Sequence, residues 1–450
     1  MISFTPGPWG SGAGPIMTEK SEPTHSTADL LDFLYRLGQA YLACGEQTAH
    51  VELQIRRIAT SYGARRPRVV AFPTAIFITL DGGEGERVTL AEGPLRKLRL
   101  DQMADVYNLG TEVQGGKIPL SEASARLTAI TRSPARFGVF GTLLGHIVLS
   151  TGVAMILNPV PEGILFCAIL GAMVGVLKLV MNEKSLFSVT LPVLAAAMVS
   201  AMVFLAVRHG LPVDPIHVLI PPLVTFLPGA MLTFGMIELA YGDMVSGSSR
   251  LITGFVQLFL IAFGLAAGAM LAGVQLDGDP ILTPDVTGIA IFAWFPWIGA
   301  LVFGVGVFLH FSAPKNALPW MLLVLILAFA AQRLTAGVFG SQFSGFFGTL
   351  VATPLGYLIH LKFKGPPPMV TFLPSFWLLV PGALSLLSVK RMLSNTTEGM
   401  EGLVSTVFVF ASIAIGTLLG ASLYKFLSER FGSWQLQIGR VGRSPERKKK

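Results

Sequence analysis

The sequence predicts a polytopic α-helical membrane protein with about ten transmembrane helices in two inverted five-helix repeats and a small α/β cytoplasmic N-terminal domain. Hydrophobic residues make up 52% of the chain and charged residues only 13%, about half the charged fraction of a typical soluble protein. Beyond Phe137, mostly apolar runs of about 18 or more residues follow one another, and each can cross the hydrocarbon layer as a helix. The pentapeptide VTFLP occurs twice, at 224–228 and 370–374, which indicates an internal repeat.

The distribution of charge divides the chain into regions. Basic and acidic residues alternate up to Arg136 and become rare beyond it. The predicted regions are a disordered N-terminus (1–27), a cytoplasmic α/β domain (28–135), a first five-span membrane repeat (137–272), a second five-span membrane repeat (288–427) and a basic cytoplasmic tail (428–450). The net charge of +7 includes the terminal RSPERKKK, which an anionic cytoplasmic leaflet attracts. The lipid bilayer therefore explains the basic excess, and no nucleic-acid partner is predicted.

The N-terminal domain combines helical and strand patterns. Helices are predicted at 30–45, 50–62, 98–107 and 120–131, and strands at 68–80 and 86–90. Pro73 has no N–H for a strand ladder, so it makes the first strand irregular or places it at an edge. The helices and strands together predict a compact α/β unit.

Motifs of enzymes are absent from this domain. The phrase AHVELQ (49–54) is not the zinc-binding H-E-x-x-H, and neither a Gly-rich phosphate loop nor a spaced Cys/His cluster occurs. The sequence therefore predicts no enzyme, no metal and no cofactor. The phrase GEQTAHVE (45–52) has two interpretations: a plain corner between two helices, or a corner whose carboxylates face the mouth of the membrane domain.

The membrane spans alternate in direction. They are predicted at 137–157, 163–181, 186–207, 216–240, 251–271, 288–311, 318–333, 337–360, 369–389 and 403–426. The loops after spans one and five carry no Lys or Arg, whereas Lys184, Arg250, Lys315, Lys362 and Lys364 occupy the alternate loops. The positive-inside rule then places both termini in the cytoplasm. The membrane is expected to be the inner (plasma) membrane. Lys390 and Arg391 fall on the predicted outer side, against this rule.

The two VTFLP phrases occupy equivalent places in the two halves. Each phrase lies in the fourth span of its half, and GLAAGAML (264–271) of span five matches GTLLGASL (416–423) of span ten. Because each half has five spans, the second half enters the membrane from the opposite side and the halves are inverted. Inverted repeats with broken helices are typical of secondary transporters. The alternative is a chance match between two apolar helices.

The prolines of the repeated phrase predict a binding site. Pro228 and Pro374 lack an N–H and remove a hydrogen bond from the carbonyl four residues earlier, which in a membrane persists only beside protein or water. Unpaired N–H groups at the start of the helix after each proline can bind a carboxylate, and unpaired carbonyls before the proline can bind an ammonium. The alternative is a kink that serves packing, with the threonines bonded to their own helix. The predicted substrate-binding residues are Thr225, Pro228, Gly229, Thr371, Pro374, Pro381 and Gly382.

Ionisable residues within the spans are candidates for proton coupling. Glu238 lies near the inner end of span four, and the alternative is an interfacial carboxylate near Arg250. His146 lies deeper in span one, and the alternative is a hydrogen-bonded packing histidine. Other ionisable residues are predicted at the interface or with their charge extended to it: His310, His360, Lys178 and Arg333.

These residues carry a resemblance to a known family. Gly45-Glu46, Thr48, Val51-Glu52 and Gly63, followed by Phe72-Pro73-Thr74, resemble the cytoplasmic domain of the threonine/serine exporter family. PPLVTFLPGAMLTFGMIELAYGD (221–243) is similar to that family's fourth span, and the resemblance covers 29–426. It implies a secondary transporter that exports L-threonine and L-serine, driven by the proton motive force. Threonine, serine, protons and the bilayer are then its partners, and a homo-oligomer stays open.

Two other functions stay open. Two-subunit relatives in this family are associated with dicarboxylate export, and a succinate-type site needs two cationic or N–H-rich subsites without a carboxylate nearby. Glu238 in the cavity would therefore favour amino acids. The other alternative is a membrane-anchored hydrolase or sensor that uses the N-terminal domain, but ten spans are far more than an anchor needs.

Overall fold

The structure is a computed structural model that describes residues 26–81, 86–92, 98–116, 118–157, 160–181, 190–274, 294–379 and 396–430. Several predictions concern residues outside these ranges: the N-terminus before residue 26, the basic tail, the loop between spans five and six, the pair Lys390 and Arg391, and the pair Pro381 and Gly382.

Four helices form most of the N-terminal part of the chain. They are α1 (Thr27–Ala43), α2 (Thr48–Ser61), α3 (Leu100–Gln114) and α4 (Leu120–Arg132). The hydroxyl of Ser26 accepts a hydrogen bond from the N–H of Asp29 at 3.1 Å. This cap satisfies one of the donors that the first turn of a helix leaves unpaired.

A three-stranded antiparallel sheet lies between α2 and α3 in the chain. Its strands, in the order β1-β2-β3, are β1 (Arg68–Phe72), β2 (Ala75–Asp81) and β3 (Glu86–Glu92). The prediction of one irregular strand over 68–80 is wrong, because the chain reverses at Pro73 and Thr74 and pairs Phe72 with Ala75. The fixed φ and missing N–H of proline suit a turn better than a paired strand.

One face of the sheet is buried against α1 and α2. Val69, Ala71, Ile76 and Ile78 are buried, and their alternation with more exposed residues is expected when only one face is covered. A Cβ on Gly38 of α1 would clash with the side chain of Ile76. The glycine therefore allows α1 to lie directly on the sheet.

The rest of the described chain is helical and apolar. The helices are α5 (Gly138–Leu157), α6 (Pro161–Val180), α7 (Leu191–Arg208), α8 (Pro215–Leu219), α9 (Gly229–Ala240), α10 (Met244–Leu271), α11 (Phe295–His310), α12 (Leu318–Phe339), α13 (Ser341–Phe363), α14 (Pro368–Leu379) and α15 (Thr396–Arg430), with a 3₁₀ segment (Pro221–Phe226) between α8 and α9. Among the described residues, seven helices are long and apolar enough to cross a membrane, and α9, α11 and α14 are shorter apolar helices. The prediction of a polytopic helical membrane protein is confirmed, whereas the count of ten spans stays a prediction.

Some helix ends differ from the predicted span ends. α10 begins at Met244 rather than residue 251, because the carboxylate of Asp243 caps its first turn. α12 continues past Arg333 to Phe339, and Gly340, with a φ of 80°, separates it from α13. Such a positive φ is accessible to glycine without strain.

The two membrane halves meet where α5 packs against α11. A Cβ on Gly145, Gly152 or Gly306 would clash with the backbone of the opposite helix. We call these three residues the glycine seam. Small residues let helix backbones approach closely, so dispersion contacts hold the two helices together within lipid.

Two further helix pairs have the same kind of contact in each half. α10 packs against α7, and α15 packs against α13. In the first pair, the hydroxyl of Ser200 donates to the carbonyl of Leu265 at 2.6 Å, and in the second, the hydroxyl of Thr349 donates to the carbonyl of Ile413 at 3.0 Å. The glycines of GLAAGAML and GTLLGASL face these partner helices. The matching phrases therefore make matching contacts.

The N-terminal part lies against the ends of the membrane helices. The N–H of Leu100, at the start of α3, donates to the carbonyl of Phe311 at 3.0 Å. The guanidinium of Arg136 donates to the carbonyl of Ala313 at 3.3 Å. Both contacts lie just beyond the C-terminal end of α11, so the N-terminal part covers that end of the helix bundle.

The glycine seam predicts that a Gly→Ala substitution destabilises the protein within the seam but not at a glycine with free space around it. Gly152→Ala should lower the free energy of unfolding by about 1–3 kcal/mol, because the added methyl forces α5 away from α11. Gly337→Ala in α12 is the matched control, since nothing lies within 4 Å of an added Cβ there, and it should be neutral or stabilise by up to about 1 kcal/mol. Thermal unfolding of the detergent-purified variants measures both. Equal melting temperatures would show that the seam does not control packing.

Candidate functional site

The first VTFLP phrase breaks its helix, as predicted. The 3₁₀ segment ends at Phe226, and α9 begins at Gly229 after Pro228. The predicted free carbonyl of Val224 is wrong, because it accepts a hydrogen bond from the N–H of Leu227 at 3.2 Å. A 3₁₀ turn bonds three residues apart and so takes up a carbonyl that an α-helix would leave unpaired. No side chain caps the first turn of α9. This agrees with the prediction that the N–H groups after Pro228 are unpaired by side chains.

The second VTFLP phrase does not break its helix at the proline. Pro374 lies inside α14, so the predicted break at this residue is wrong. The hydroxyl of Thr371 donates to the carbonyl of Pro368 at 3.0 Å, which is the packing alternative for this threonine. A proline inside a membrane helix is tolerated where neighbouring protein groups accommodate the freed carbonyl. Pro381 and Gly382, predicted for the same site, lie outside the described residues.

Residues of both phrases belong to one extended hydrophobic cluster. Val224 of the first phrase and Val370 and Leu373 of the second belong to it, together with the core of the N-terminal part. The helices that follow or carry the phrases are in contact, since the ring of Phe234 in α9 lies 5.7 Å from that of Phe376 in α14. The two phrases therefore differ in shape, and a shared binding site between them stays a prediction.

Thr225 is part of a polar cluster between α6, the 3₁₀ segment and α11. The ammonium of Lys178 donates to the hydroxyl of Thr225 at 2.8 Å and lies 3.3 Å from Nε2 of His310. It also lies 4.9 Å from the centre of the Phe226 ring, a distance at which a cation is attracted to the ring face. Thr225, His310 and Phe226 therefore hold the ammonium of Lys178, and its place relative to the membrane interface stays a prediction. We call His146, Lys178, Thr225 and His310 the lysine–histidine cluster.

The two histidines of this cluster differ in their partners. Nδ1 of His310 lies 2.9 Å from the carbonyl of Thr142 in α5, and the place of His310 at the membrane interface stays a prediction. The ring of His146 lies 5.0 Å from that of His310 and is fully buried. Both ring nitrogens of His146 lack a hydrogen-bond partner among the described residues. The described residues therefore supply neither the hydrogen bond of the packing alternative nor a proton partner, and the role of His146 stays a prediction.

Glu238 lies in a second polar cluster, at the junction with the N-terminal part. Its side chain is 2% exposed, and its Oε2 lies 3.0 Å from Nε of Arg250 in an ion pair without hydrogen-bond geometry. Oε1 accepts a hydrogen bond from the N–H of Thr48 at 3.2 Å. The hydroxyl of Thr48 contacts the carboxylate of Asp243 and lies 3.1 Å from the hydroxyl of Ser246. The two residues predicted for proton coupling, Glu238 and His146, therefore lie in different clusters.

Glu46 completes the second cluster. Its carbonyl accepts a hydrogen bond from Nη2 of Arg250 at 2.8 Å, and its carboxylate accepts one from the hydroxyl of Tyr107. Glu52 instead accepts from the N–H of Ala71 at 3.0 Å within the N-terminal part. Of the two acidic residues of the GEQTAHVE corner, Glu46 thus contacts the membrane helices, through its backbone carbonyl, and Glu52 contacts the N-terminal part. We call Glu46, Thr48, Glu238, Asp243 and Arg250 the junction cluster.

A histidine sets the charge of Glu46. Burial would raise the pKa of Glu46, but His50, 3.1 Å away, together with the N–H of Gln47 and the charge of Arg250, holds this pKa below its ordinary value. Burial would lower the pKa of His50, but the carboxylate of Glu46 outweighs it and raises this pKa. The pair is therefore charged over a wide range of pH. His50 is 38% exposed, so water screens the pair and its stabilisation is modest.

Sequence reasoning missed several residues of the two clusters. Lys178 and His310 were placed at the interface because each lies near a span end, and the sequence carries no information on how a helix is rotated. Thr48 and Asp243 were not singled out as site residues. One signal was present: Asp243 immediately precedes α10 and Arg250 lies in its second turn, between two apolar runs, where charged residues need partners.

Comparison with known proteins places this geometry in a family. A family model described as "Putative threonine/serine exporter" matches residues 32–272, a little more than half of the chain. The chain belongs to the threonine/serine exporter family. The range that matches the exporter model includes the whole junction cluster and also Lys178 and Thr225, whereas His310 lies beyond it.

Individual relatives extend the comparison. A threonine/serine exporter of Corynebacterium glutamicum is 22% identical over 420 residues, which cover 87% of this chain and 82% of the relative. Pheromone-regulated membrane protein 10 is 26% identical over 277 residues in Candida glabrata (56% of this chain, 33% of the relative) and 26% over 222 residues in Eremothecium gossypii (46% and 29%). The chain spans about a third of the length of these fungal relatives. No solved structure is significantly similar to this exporter-family chain.

Metal binding receives no support from the side chains. Among the described residues, no group of His, Cys, Asp or Glu is arranged to hold a metal ion. The chemistry available in the two clusters is that of hydrogen bonds, ion pairs and proton binding.

The unequal shapes of the two phrases predict unequal effects of proline replacement. Pro228→Ala adds an N–H and allows the 3₁₀ segment and α9 to join into one helix, so Thr225 should leave Lys178 and transport should fall at least about 10-fold with insertion intact. Pro374→Ala, the matched control, only restores a bond within a helix that is already continuous, and it should leave transport within about 2-fold. Uptake and efflux in vesicles at equal expression measure both. Equal loss for the two variants would mean that the break beside Thr225 has no special role.

The charged pair of Glu46 and His50 predicts a pH dependence of stability. The raised pKa of His50 gives a contribution that is complete below about pH 6.5, the ordinary histidine value, and is lost as pH rises through the raised pKa. The difference in melting temperature between wild type and His50→Gln should therefore be largest near pH 6 and shrink as pH rises. His209→Gln, at an exposed histidine after α7, is the control. A difference that grows with pH would contradict the pairing with Glu46.

Proposed function

We propose that this protein is a secondary transporter that exports L-threonine and L-serine across the inner (plasma) membrane, driven by the proton motive force. The family match over 32–272 carries the proposal. The relative from Corynebacterium glutamicum, which is named a threonine/serine exporter and matches over most of both chains, supports these substrates. The buried polar clusters supply groups that bind a small zwitterion and a proton within apolar helices.

The proposed architecture is ten spans in two inverted repeats, 137–272 and 288–427. The equivalent contacts of α10 with α7 and of α15 with α13 support it. So do the hydroxyl-to-carbonyl bonds at Ser200 and Thr349, which join the same helix pair in each half. In this arrangement the substrate pathway runs between the halves, where both VTFLP phrases contribute to one buried cluster.

The proposed orientation places the N-terminal domain (28–135) and the tail (428–450) in the cytoplasm. The basic residue Arg250 contacts Glu46 of the N-terminal part. Lys315 lies two residues after Ala313, which contacts Arg136. The N-terminal part thus covers the helix ends that carry basic loops, as the positive-inside rule requires of a cytoplasmic domain.

The coupling proton is proposed to bind Glu238. Its carboxylate is buried, faces Arg250 and accepts a hydrogen bond from Thr48. A proton removes the negative charge that Arg250 faces, so the ion pair and with it the contact to the N-terminal part are weakened. In this proposal, proton binding thereby favours separation of the N-terminal part from the helix ends on the cytoplasmic side. His146, the second residue proposed for proton coupling, lies beside Lys178, where a proton would add positive charge.

One observation favours the dicarboxylate alternative. The amino-acid interpretation expects a carboxylate near the ligand, yet Glu238 contacts Arg250 and Thr48 rather than Thr225. Within the part of the chain that the structure describes, no carboxylate contacts His146 or His310. A cationic site of this kind suits succinate as well as the carboxylate of an amino acid, so both must be tested.

Transport by the purified full-length protein in proteoliposomes tests the proposal. We expect efflux and exchange of L-threonine and L-serine, faster with an inward proton gradient, and little movement of succinate. Glu238→Gln should leave threonine exchange within about 2-fold but abolish the response to the gradient, because exchange needs no net proton movement. Glu162→Gln, at an exposed carboxylate in the first turn of α6, is the control and should behave as wild type.

The outcomes separate the alternatives. Succinate transport without threonine transport would replace amino acids by dicarboxylates as the substrate class. Threonine exchange that responds to the gradient equally in wild type and Glu238→Gln would remove the coupling role from Glu238. Absence of any transport would reject the proposal.

A further inference from the structure

We infer that His146, Lys178, Thr225 and His310 form the subsite that holds the carboxylate group of the transported substrate. The inference rests on the proposed function, because it identifies where a transported carboxylate binds. The site lies where α5, α6, the 3₁₀ segment and α11 meet, beside the helix break that begins α9. Nothing in the family comparison assigns these residues a role.

The hydrogen bonds fix which atoms donate. The carbonyl of Thr142 can only accept, so Nδ1 of His310, 2.9 Å away, carries the proton. In the neutral ring, Nε2 then accepts from the ammonium of Lys178, 3.3 Å away. The hydroxyl oxygen of Thr225 accepts from the same ammonium. The hydroxyl hydrogen of Thr225 is therefore able to donate to a ligand, and it lies next to the positive charge of Lys178.

His146 points to a ligand independently of these bonds. Its side chain is 0% exposed, and neither ring nitrogen has a partner among the described residues. A buried polar group without a partner costs about 1–3 kcal/mol, so a site that carries one is completed by a water or a ligand. The ring lies 5.0 Å from that of His310. The unpartnered ring of His146 therefore lies next to the imidazole of His310, which itself contacts the ammonium of Lys178.

The chemistry of this set favours an anion with two acceptor oxygens. A carboxylate can accept from the ammonium, the hydroxyl and the imidazole N–H, and charge-assisted bonds of this kind are stronger than neutral ones. An ammonium ligand would meet Lys178 as a like charge. The subsite therefore takes the carboxylate end of the substrate and leaves the amino end to other groups.

The surrounding packing makes the subsite rigid. Gly145, next to His146, lies against the backbone of His310, and Gly175 of α6 lies against the side chain of His146. A side chain larger than hydrogen at Gly145 would separate α5 from α11, the helices that carry the two histidines. A donor set held by backbone contacts loses little entropy when a ligand binds.

Competition with a substrate analogue tests the inference. The purified full-length protein in proteoliposomes exchanges labelled L-threonine against L-threonine or against L-threoninol, which lacks the carboxylate. Wild type should prefer L-threonine by about 10-fold to 100-fold. Lys178→Met and Thr225→Val should each reduce that preference at least about 5-fold, and Lys178→Arg should retain more of it than Lys178→Met. Lys425→Met, at an exposed lysine of α15, is the matched control and should keep the wild-type ratio.

A measurement without transport accompanies this one. L-threonine should raise the melting temperature of the detergent-purified wild type, because a ligand that binds only the folded state stabilises it. The rise should be absent in Lys178→Met and smaller in His146→Leu than in His146→Gln, which keeps a donor. If Lys178→Met does not fold, the ratio and the shift in Thr225→Val and His146→Gln decide the question.

The results distinguish this inference from the proposed function. Threonine exchange with the same threonine-to-threoninol ratio in wild type, Lys178→Met and Thr225→Val would overturn the subsite and leave the exporter function intact. Transport of succinate instead of threonine, weakened by the same two variants, would overturn the proposed substrate and support the subsite. A thermal shift by L-threonine that Lys178→Met, Thr225→Val and His146→Leu all leave unchanged would place the carboxylate elsewhere.

Discussion

The backbone contact between α5 and α11 is the interaction on which both the fold and the candidate site depend. Lipid tails are as apolar as the side chains that face them, so helices in a membrane associate by close packing rather than by the hydrophobic effect. The glycine seam provides that packing, and Gly145 brings the backbone of His310 against α5. Because His146 follows Gly145 directly, the contact that joins the two halves also brings the two histidines together.

The junction cluster joins the N-terminal part to the helices by a different kind of interaction. Two charges taken out of water cost several kcal/mol each, and a buried ion pair recovers this only with further hydrogen bonds. Glu238 and Arg250 have such bonds, to the N–H of Thr48 and the carbonyl of Glu46. Without the α1–α2 corner, both charges would lose these partners. The N-terminal part therefore completes a site in the membrane helices, and its removal would expose or unpair buried charge.

The membrane class and the places of most helices were predictable, because span length and apolar composition are local properties of the sequence. That Glu238 and Thr225 need polar partners was predictable for the same reason, since a carboxylate or a broken helix in an apolar run needs them. Arg250 was predictable as the neighbour of Glu238, but the other partners were not. Thr48 lies 190 residues from Glu238, and the inward direction of Lys178 depends on the rotation of α6, which packing with distant segments decides. Pro374 differs from Pro228 although the two phrases are identical, so the surroundings and not the pentapeptide determine whether the helix breaks.

The two polar clusters are joined by one short element. α9 has 12 residues, about 18 Å at 1.5 Å per residue. Its first turn follows the break beside Thr225, and its last turn carries Glu238. Under the proposed function, α9 is the element expected to move, because release of Glu238 from Arg250 would free one end of a short helix whose other end adjoins the lysine–histidine cluster. In the proposed function, proton binding at the junction cluster and substrate binding at Lys178 act on opposite ends of α9. This one helix is therefore sufficient to couple the two binding events.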